Sequence, residues 1–406
     1  MLLKHTHVAV ATWLAIATQG LAAPVGRVVV EAGEFDRQNL AVAVALPEGT
    51  DPSGWTNLNA VDDKGKRHPA QVEAGTPTKV WLLLTDKLPA GKSRTFTLET
   101  VEGAKGDEVK IADDGKRLVA TIGEREVLAY NHAVMPSPLE EKPQFARSGM
   151  LHPVRTPSGK VVTDPMPLPH HTHQHAIMMA WVNTTFEGRH VYFWNSDLKE
   201  GLVEHAKVAS TTSGPVFGEM VCHLDHVDLR APEGRKVALR EEWRVRIYNV
   251  AGINLFDITS TQTCASESPL VLNEYHYGGM AVRGAVEWKD PKKCELVTSD
   301  GLGRRRGNHT RPQWVSMSGA LTEGTGGIVV MGDQSNERHP QPVRLHPDMP
   351  YFCFAPVVLG EMRIEPDKPL VSSYRFMTHD GDLDKELAGS IHQNYVDPPK
   401  ATFSHP

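Results

Sequence analysis

The stretch "EEWRVRIYNV", Glu241 to Val250, is followed after a short break by "NLFDITSTQTC", Asn254 to Cys264. Both runs are short, rich in β-branched and aromatic residues, and separated by Ala251-Gly252. They read as consecutive strands. The same signal extends in both directions. Downstream lie "AVRGAVEW", "GGIVVMG" and "LVSSYRFMTHDG"; upstream lie "KRLVATIG", "REVLAYN" and "GRHVYFWN". Only "DGDLDKELAGSIHQNYV" has a helical pattern, with Leu383, Leu387 and Ile391 spaced by four. A single open sheet rarely exceeds ~10 strands, so this many strands require two large stacked sheets. The fold class is therefore all-β.

Nearer the start, "RVVVEAG", "NLAVAVALP", "KVWLLLT" and "SRTFTLETV" predict a small N-terminal β-sandwich. The small and charged "VEGAKGDE" then breaks the pattern. The expected division is a small sandwich over 24–104 and a large one over 105–406. The first 23 residues read as a signal peptide: Lys4, an apolar core from Val8 to Ala17, and small residues near Ala22 and Ala23. No later run approaches the ~18 apolar residues of a membrane span. A periplasmic or secreted protein is expected.

The chain has 406 residues, 40% hydrophobic and 23% charged, with a formal net charge of -6. That balance points away from nucleic acid as a partner. The basic "GRRRG" around Arg304 to Arg306 reads as a solvated loop. The four cysteines, Cys222, Cys264, Cys294 and Cys353, form no CxxC pair. Free thiols are the preferred reading, although export would permit disulfides.

The chemistry concentrates in "PLPHHTHQHAIMMAW", Pro167 to Trp181. On a strand, His171, His173 and His175 would share a face with Ile177, Met179 and Trp181. Two imidazoles so spaced can flank a substrate as acid and base, or converge on a divalent or transition metal ion. His171 and His173 are therefore catalytic candidates and, alternatively, metal ligands; His175 is a substrate-binding candidate. In "NEYHYGGMAVRGAVEW", Gly278-Gly279 permits positive φ or close backbone approach. Glu274 is a reserve catalytic carboxylate there. Tyr277 and Arg283 are substrate-binding candidates, since a charge in an apolar strand needs a partner. Asn336 and His339, in the polar loop after "GIVVM", are further candidates. Trp194 belongs to "VYFWN", either a sugar-stacking platform or core.

Several segments come in an order that resembles one bacterial family, the PmoA family. They are "HPVRTPSGKVVTD", "HTHQHAIMMAWVN", "VYFWN", "YGGMAVR", "SNERHP" and "SYRFMTHDG". The resemblance spans most of residues 25–390. His171 and His173 match the family's histidine pattern, whereas Thr172, Gln174 and His175 depart from it. The name implies no methane oxidation, because its namesake spans a membrane many times. The closing segment "NERHPQP…MRIEPDKPLVSSYRFMTHDG" is similar to the last strands of galactose-mutarotase-like β-supersandwiches. That likeness implies a supersandwich for the large part and a saccharide or other small polar ligand on a concave sheet. A lyase, epimerase or hydrolase is the leading expectation. A histidine-ligated metal enzyme and a non-catalytic glycan-binding module are the alternatives.

Overall fold

Antiparallel strands dominate the regular structure. In the computed structural model, which describes residues 24–100 and 107–406, the two opening runs form the strands Gly234–Tyr248 and Asn254–Cys264. They pair antiparallel, with Trp243 opposite Ser260 and Ile247 opposite Phe256. The signal-peptide reading and the 104/105 boundary lie outside the described residues.

Alternation decides which side chains enter the core. Trp243, Val245 and Ile247 are fully buried, while Arg244 between them is exposed. Truncating Trp243 to alanine would cost about 3–5 kcal/mol through lost burial and a residual cavity. Glu241 points inward on the same face and is fully enclosed. Its carboxylate accepts from Ser260 Oγ and Trp243 Nε1, and meets His226 Nε2 at 2.7 Å. Buried charge demands such partners.

These two strands are central in an eight-stranded sheet that runs from Gly201–Thr212 at one edge to Cys294–Thr298 at the other. A second eight-stranded sheet runs from Val343–Leu345 at one edge to Val109–Asp113. One apolar core joins the facing sides, with Leu128, Leu151 and Ile177 from the second sheet and Trp243, Phe256 and Val330 from the first. The all-β sandwich expected from the strand pattern is present. A four-stranded sheet, which includes Thr184–Phe186 and Leu270–Leu272, adds to the same core.

The N-terminal strands form a seven-stranded sheet with their own core of Val28, Val30, Leu82, Phe96 and Leu98. Its edge strand is Lys400–Ser404, from the far end of the chain, which pairs antiparallel with Pro24–Glu31. The helix pattern near the end is a helix, Lys385–Val396, with Asp384 capping Leu387 N–H. Ile391 is buried, whereas Leu387 is exposed. The helix packs with Leu83, Phe217 and Met377 in a third core, which joins the N-terminal sheet to the outer face of the first eight-stranded sheet. All four cysteines are free thiols.

Candidate functional site

Four neighbouring strands of the second sheet position the site: Val343–Leu345, Tyr351–Phe354, Gly279–Arg283 and Ile177–Ala180, in that order. The segments that enter and leave them line a cavity of about 330 Å³. Its walls carry His171, His173 and Gln174 from the first segment and His276 and Tyr277 from the second. Arg344, His346 and Tyr351 come from the third, and Asn195 from the loop after Trp194.

The structure corrects the strand reading of the histidines. The strand begins at Ile177, and residues 171–174 form a turn closed by Gln174 N–H donating to His171 O at 2.8 Å. His171 has φ +62° and Ala176 has φ +43°, so extended alternation cannot pass through them. The turn nevertheless brings His171 and His173 together, with ring centroids 5.7 Å apart. The His346 ring centroid lies 6.1 Å from that of His171.

His175 follows a different course. It is 2% exposed and its Nδ1 lies 2.9 Å from Pro165 O, so it serves the core and does not line the cavity. Arg283 is buried below the turn and donates to Gln174 Oε1 at 2.8 Å. Trp194 is also buried, with its ring edge-on to Tyr277 at 5.4 Å and to Tyr351 at 5.9 Å. It supports the lining tyrosines. Tyr277 does line the cavity, and its hydroxyl bonds that of Tyr192 at 2.6 Å. Glu274 is exposed and outside the lining. Asn336 clamps the Ser373 backbone, accepting from its N–H at 2.7 Å and donating to its carbonyl at 2.8 Å. His339 sits in the same loop, away from the cavity lining. Asn336 holds loop to strand, His339 N–H donates to Asn336 O within the loop, and neither lines this cavity.

The glycine pair has a clear local reason. Gly278 and Gly279 have φ +130° and +107°. A Cβ on Gly279 would lie 2.5 Å from Phe354 O. Only glycine lets the chain pass here and present His276 and Tyr277.

The histidines differ electrostatically. Burial pushes His173 down to about 4, and the neighbouring His171 adds to this. Burial also pushes His346 down to about 4, with Arg344 adding to the effect. His346 Nδ1 accepts backbone N–H groups from Asp348 and Met349 at 3.1 and 3.0 Å. A neutral ring whose Nδ1 accepts must carry its proton on Nε2. His346 is thus a hydrogen-bond donor. His171 Nδ1 lies 2.8 Å from His170 Nδ1, and burial lowers its pKa as well. The cavity accordingly offers neutral imidazoles beside one guanidinium, Arg344, and none of its nine lining residues is acidic.

Residues 117–393 match the family of unknown function DUF6807. The chain belongs to this family. Every lining residue of the cavity falls inside the DUF6807 region. No curated protein matches the chain. Among solved structures, this DUF6807 protein is similar to a glycosyl hydrolase family 38 protein from Enterococcus faecalis. Identity is 9% and the TM-score 0.39, over 94% of this chain and 47% of that one. An alpha-mannosidase from Enterococcus faecalis V583 is similar at 9% identity and a TM-score of 0.40, over 94% and 46%. The DUF6807 chain spans about half the length of either.

The sequence reading missed Gln174, Asn195, His276, Arg344, His346 and Tyr351 as lining residues. "VRLHP" carried the clearest overlooked signal, a cation and an imidazole at the end of a short apolar run.

Proposed function

We propose that the cavity binds a carboxylate-bearing saccharide and removes the proton next to the carboxylate, the first step shared by lyases and epimerases. The observation that carries this reading is a wall of four imidazoles and Arg344 with no carboxylate among the lining residues. Most glycoside hydrolases use paired carboxylates, so this lining favours proton abstraction over hydrolysis. Arg344 is suited to hold the substrate carboxylate. His173 is suited to act as base, because no hydrogen bond occupies its ring among the described residues. His346 donates from Nε2, and His171 neighbours both rings. A bound carboxylate would raise the imidazole pKa values toward neutrality, where acid–base exchange is most effective.

Export to the periplasm or beyond, with removal of residues 1–23, belongs to the same proposal. So does the PmoA-like order of motifs, which supports a shared pocket and not a reaction.

The test is hydrogen exchange. In deuterated water, a uronate oligosaccharide should take up deuterium at C5 with wild-type protein and not with His173→Ala. Binding without exchange across a panel of acidic oligosaccharides would make the chain a glycan-binding module instead.

A specific observation favours a second reading. Neutral imidazole is the form that ligates metals, and His171, His173 and His346 are neighbours. Their ring nitrogens do not meet as a set. Among the described residues, the group of three whose ligand atoms lie within 4.8 Å of one another is Asp62, His68 and Asp86. Ring rotation would be needed to hold an ion at the histidines.

A further inference from the structure

A second and larger recess, of about 780 Å³, lies at the far edge of the other eight-stranded sheet. It is bounded by the edge strand Cys294–Thr298, the short helix Arg304–Gly307 and the turn before the helix Lys385–Val396. The "GRRRG" run, expected from its sequence to be a solvated loop, forms one wall. Six cations line the recess: Lys292, Lys293, Arg304, Arg305, Arg306 and Lys385. The acidic lining residues are Glu295 and Asp382. Positive charge therefore gathers here in a chain whose net charge is -6.

Arg304 is committed to structure. It donates to Cys294 O at 2.9 Å, His346 O at 3.0 Å and Met349 O at 2.6 Å. The other five cations make no ion pair among the described residues, and all five are exposed. Uncompensated like charges around one concavity repel each other and draw in counter-charge.

The chemistry of the ligand can be narrowed. An added peptide strand needs a free sheet edge. Here the edge is already used: Arg304 takes Cys294 O, Thr298 N–H donates to Leu302 O, and Val297 bridges Gly303. A single-stranded nucleic acid needs aromatic stacking surfaces, and none of the lining residues is aromatic. What remains is a ligand read by repeated negative charge and accommodated in several hundred Å³.

We propose that this recess binds a segment of acidic polysaccharide, through its carboxylate or sulfate groups, on Lys292, Lys293, Arg305, Arg306 and Lys385. The glycan class rests on the reading of the histidine cavity, but the recess and its residues are separate. Arg304 links the two, since the carbonyl it holds belongs to His346. A polymer docked here would be held on the chain while another part of it is presented elsewhere.

The test measures binding without turnover. Polygalacturonate and dextran sulfate would be titrated against the full chain, with neutral dextran as the reference. Wild type should bind one or both acidic polymers, with affinity falling as salt rises. The arm that binds tells carboxylate from sulfate. R305E/R306E should bind at least about tenfold more weakly. K292E/K293E, on another wall, should do the same and guards against misfolding of the first variant. K64E/R67E, a charge-matched pair at the turn between Leu58–Asp62 and Arg67–Glu73 of the N-terminal sheet, should bind like wild type. Equal weakening in K64E/R67E, or no weakening in both recess variants, overturns the proposal. Equal binding of poly-glutamate overturns the glycan assignment. Groove-dependent binding in a chain that shows no deuterium exchange would sink the catalytic reading and leave this one standing.

Discussion

Arg283 Nη1 donates to Gln174 Oε1 at 2.8 Å, with both side chains buried. This bond ties the end of a core strand to the turn that carries His171 and His173. Burial lowers the Arg283 pKa to about 10, and the charge of Asp164 acts against that fall. Arg283→Met would leave Gln174 Oε1 without its donor. Unfolding in urea should show a loss of about 1–3 kcal/mol. With His173 as the proposed base and Arg344 as the proposed carboxylate holder, exchange turnover should fall further than substrate affinity. Unchanged stability would show that the bond is not formed in solution.

Acid should destabilise the chain in a defined window. Burial holds His152, His173, His205 and His346 at about 4 in the folded state. Their unfolded value is about 6.5. Between these values the unfolded chain binds more protons than the folded one. Stability is therefore full above about 6.5 and drains as pH falls toward about 4. Urea midpoints measured from pH 7.5 down to about 4.5 should fall steadily. The fall should be shallower in His152→Gln.

Ligand binding should run the linkage in reverse. An anion beside His173 and His346 raises their pKa values, so binding near pH 5, on the order of a unit above their folded values, takes up protons. Titration calorimetry of a uronate in buffers of different ionisation enthalpy should show this uptake. It should vanish near pH 8, where the imidazoles stay neutral in both states. Equal heats in all buffers at low pH would remove the anion from the histidine wall.

Nitrogen-15 NMR should find His346 as the Nε2–H tautomer, because two backbone N–H groups occupy Nδ1. Treatment with a chelator should leave deuterium exchange intact. Stoichiometric metal that disappears in a His171/His173 double alanine variant would instead establish the metal reading.

The two ends of the chain should unfold together. Arg37 is 1% exposed and donates to Ala32 O, Asn394 Oδ1 and Asp397. Arg37→Met should cost about 3 kcal/mol by stranding several acceptors. It should also speed proteolysis within residues 397–406. A variant as resistant as wild type would mean that pairing between Lys400–Ser404 and Pro24–Glu31 holds that end without Arg37.

Some features are legible in a short window of sequence. Trp243, Val245 and Ile247 announce a buried strand face by period alone, and Leu383, Leu387 and Ile391 announce a helix. Local steric and hydration preferences act over a few residues, so a short window carries them. His171 to His175 mislead for the same reason. Their spacing mimics a strand, but a positive φ at His171 and a hydrogen bond from Gln174 make a turn. Asn336 and His339 looked available in a polar loop, yet the register of Ser373 opposite that loop takes up Asn336.

By itself the sequence determined an all-β chain, with one terminal helix and a histidine-rich entry to a core strand. Side-chain period and turn chemistry are local properties and need no partner to be read. Only the tertiary structure decided which histidines meet. Strand pairing brings His346 to His171 across 175 positions and seats Arg344 and His276 on the same wall, while His175, two residues from His173, is drawn into the core. Sheet order is set by long-range packing, and nothing within a short window specifies which strand ends become neighbours.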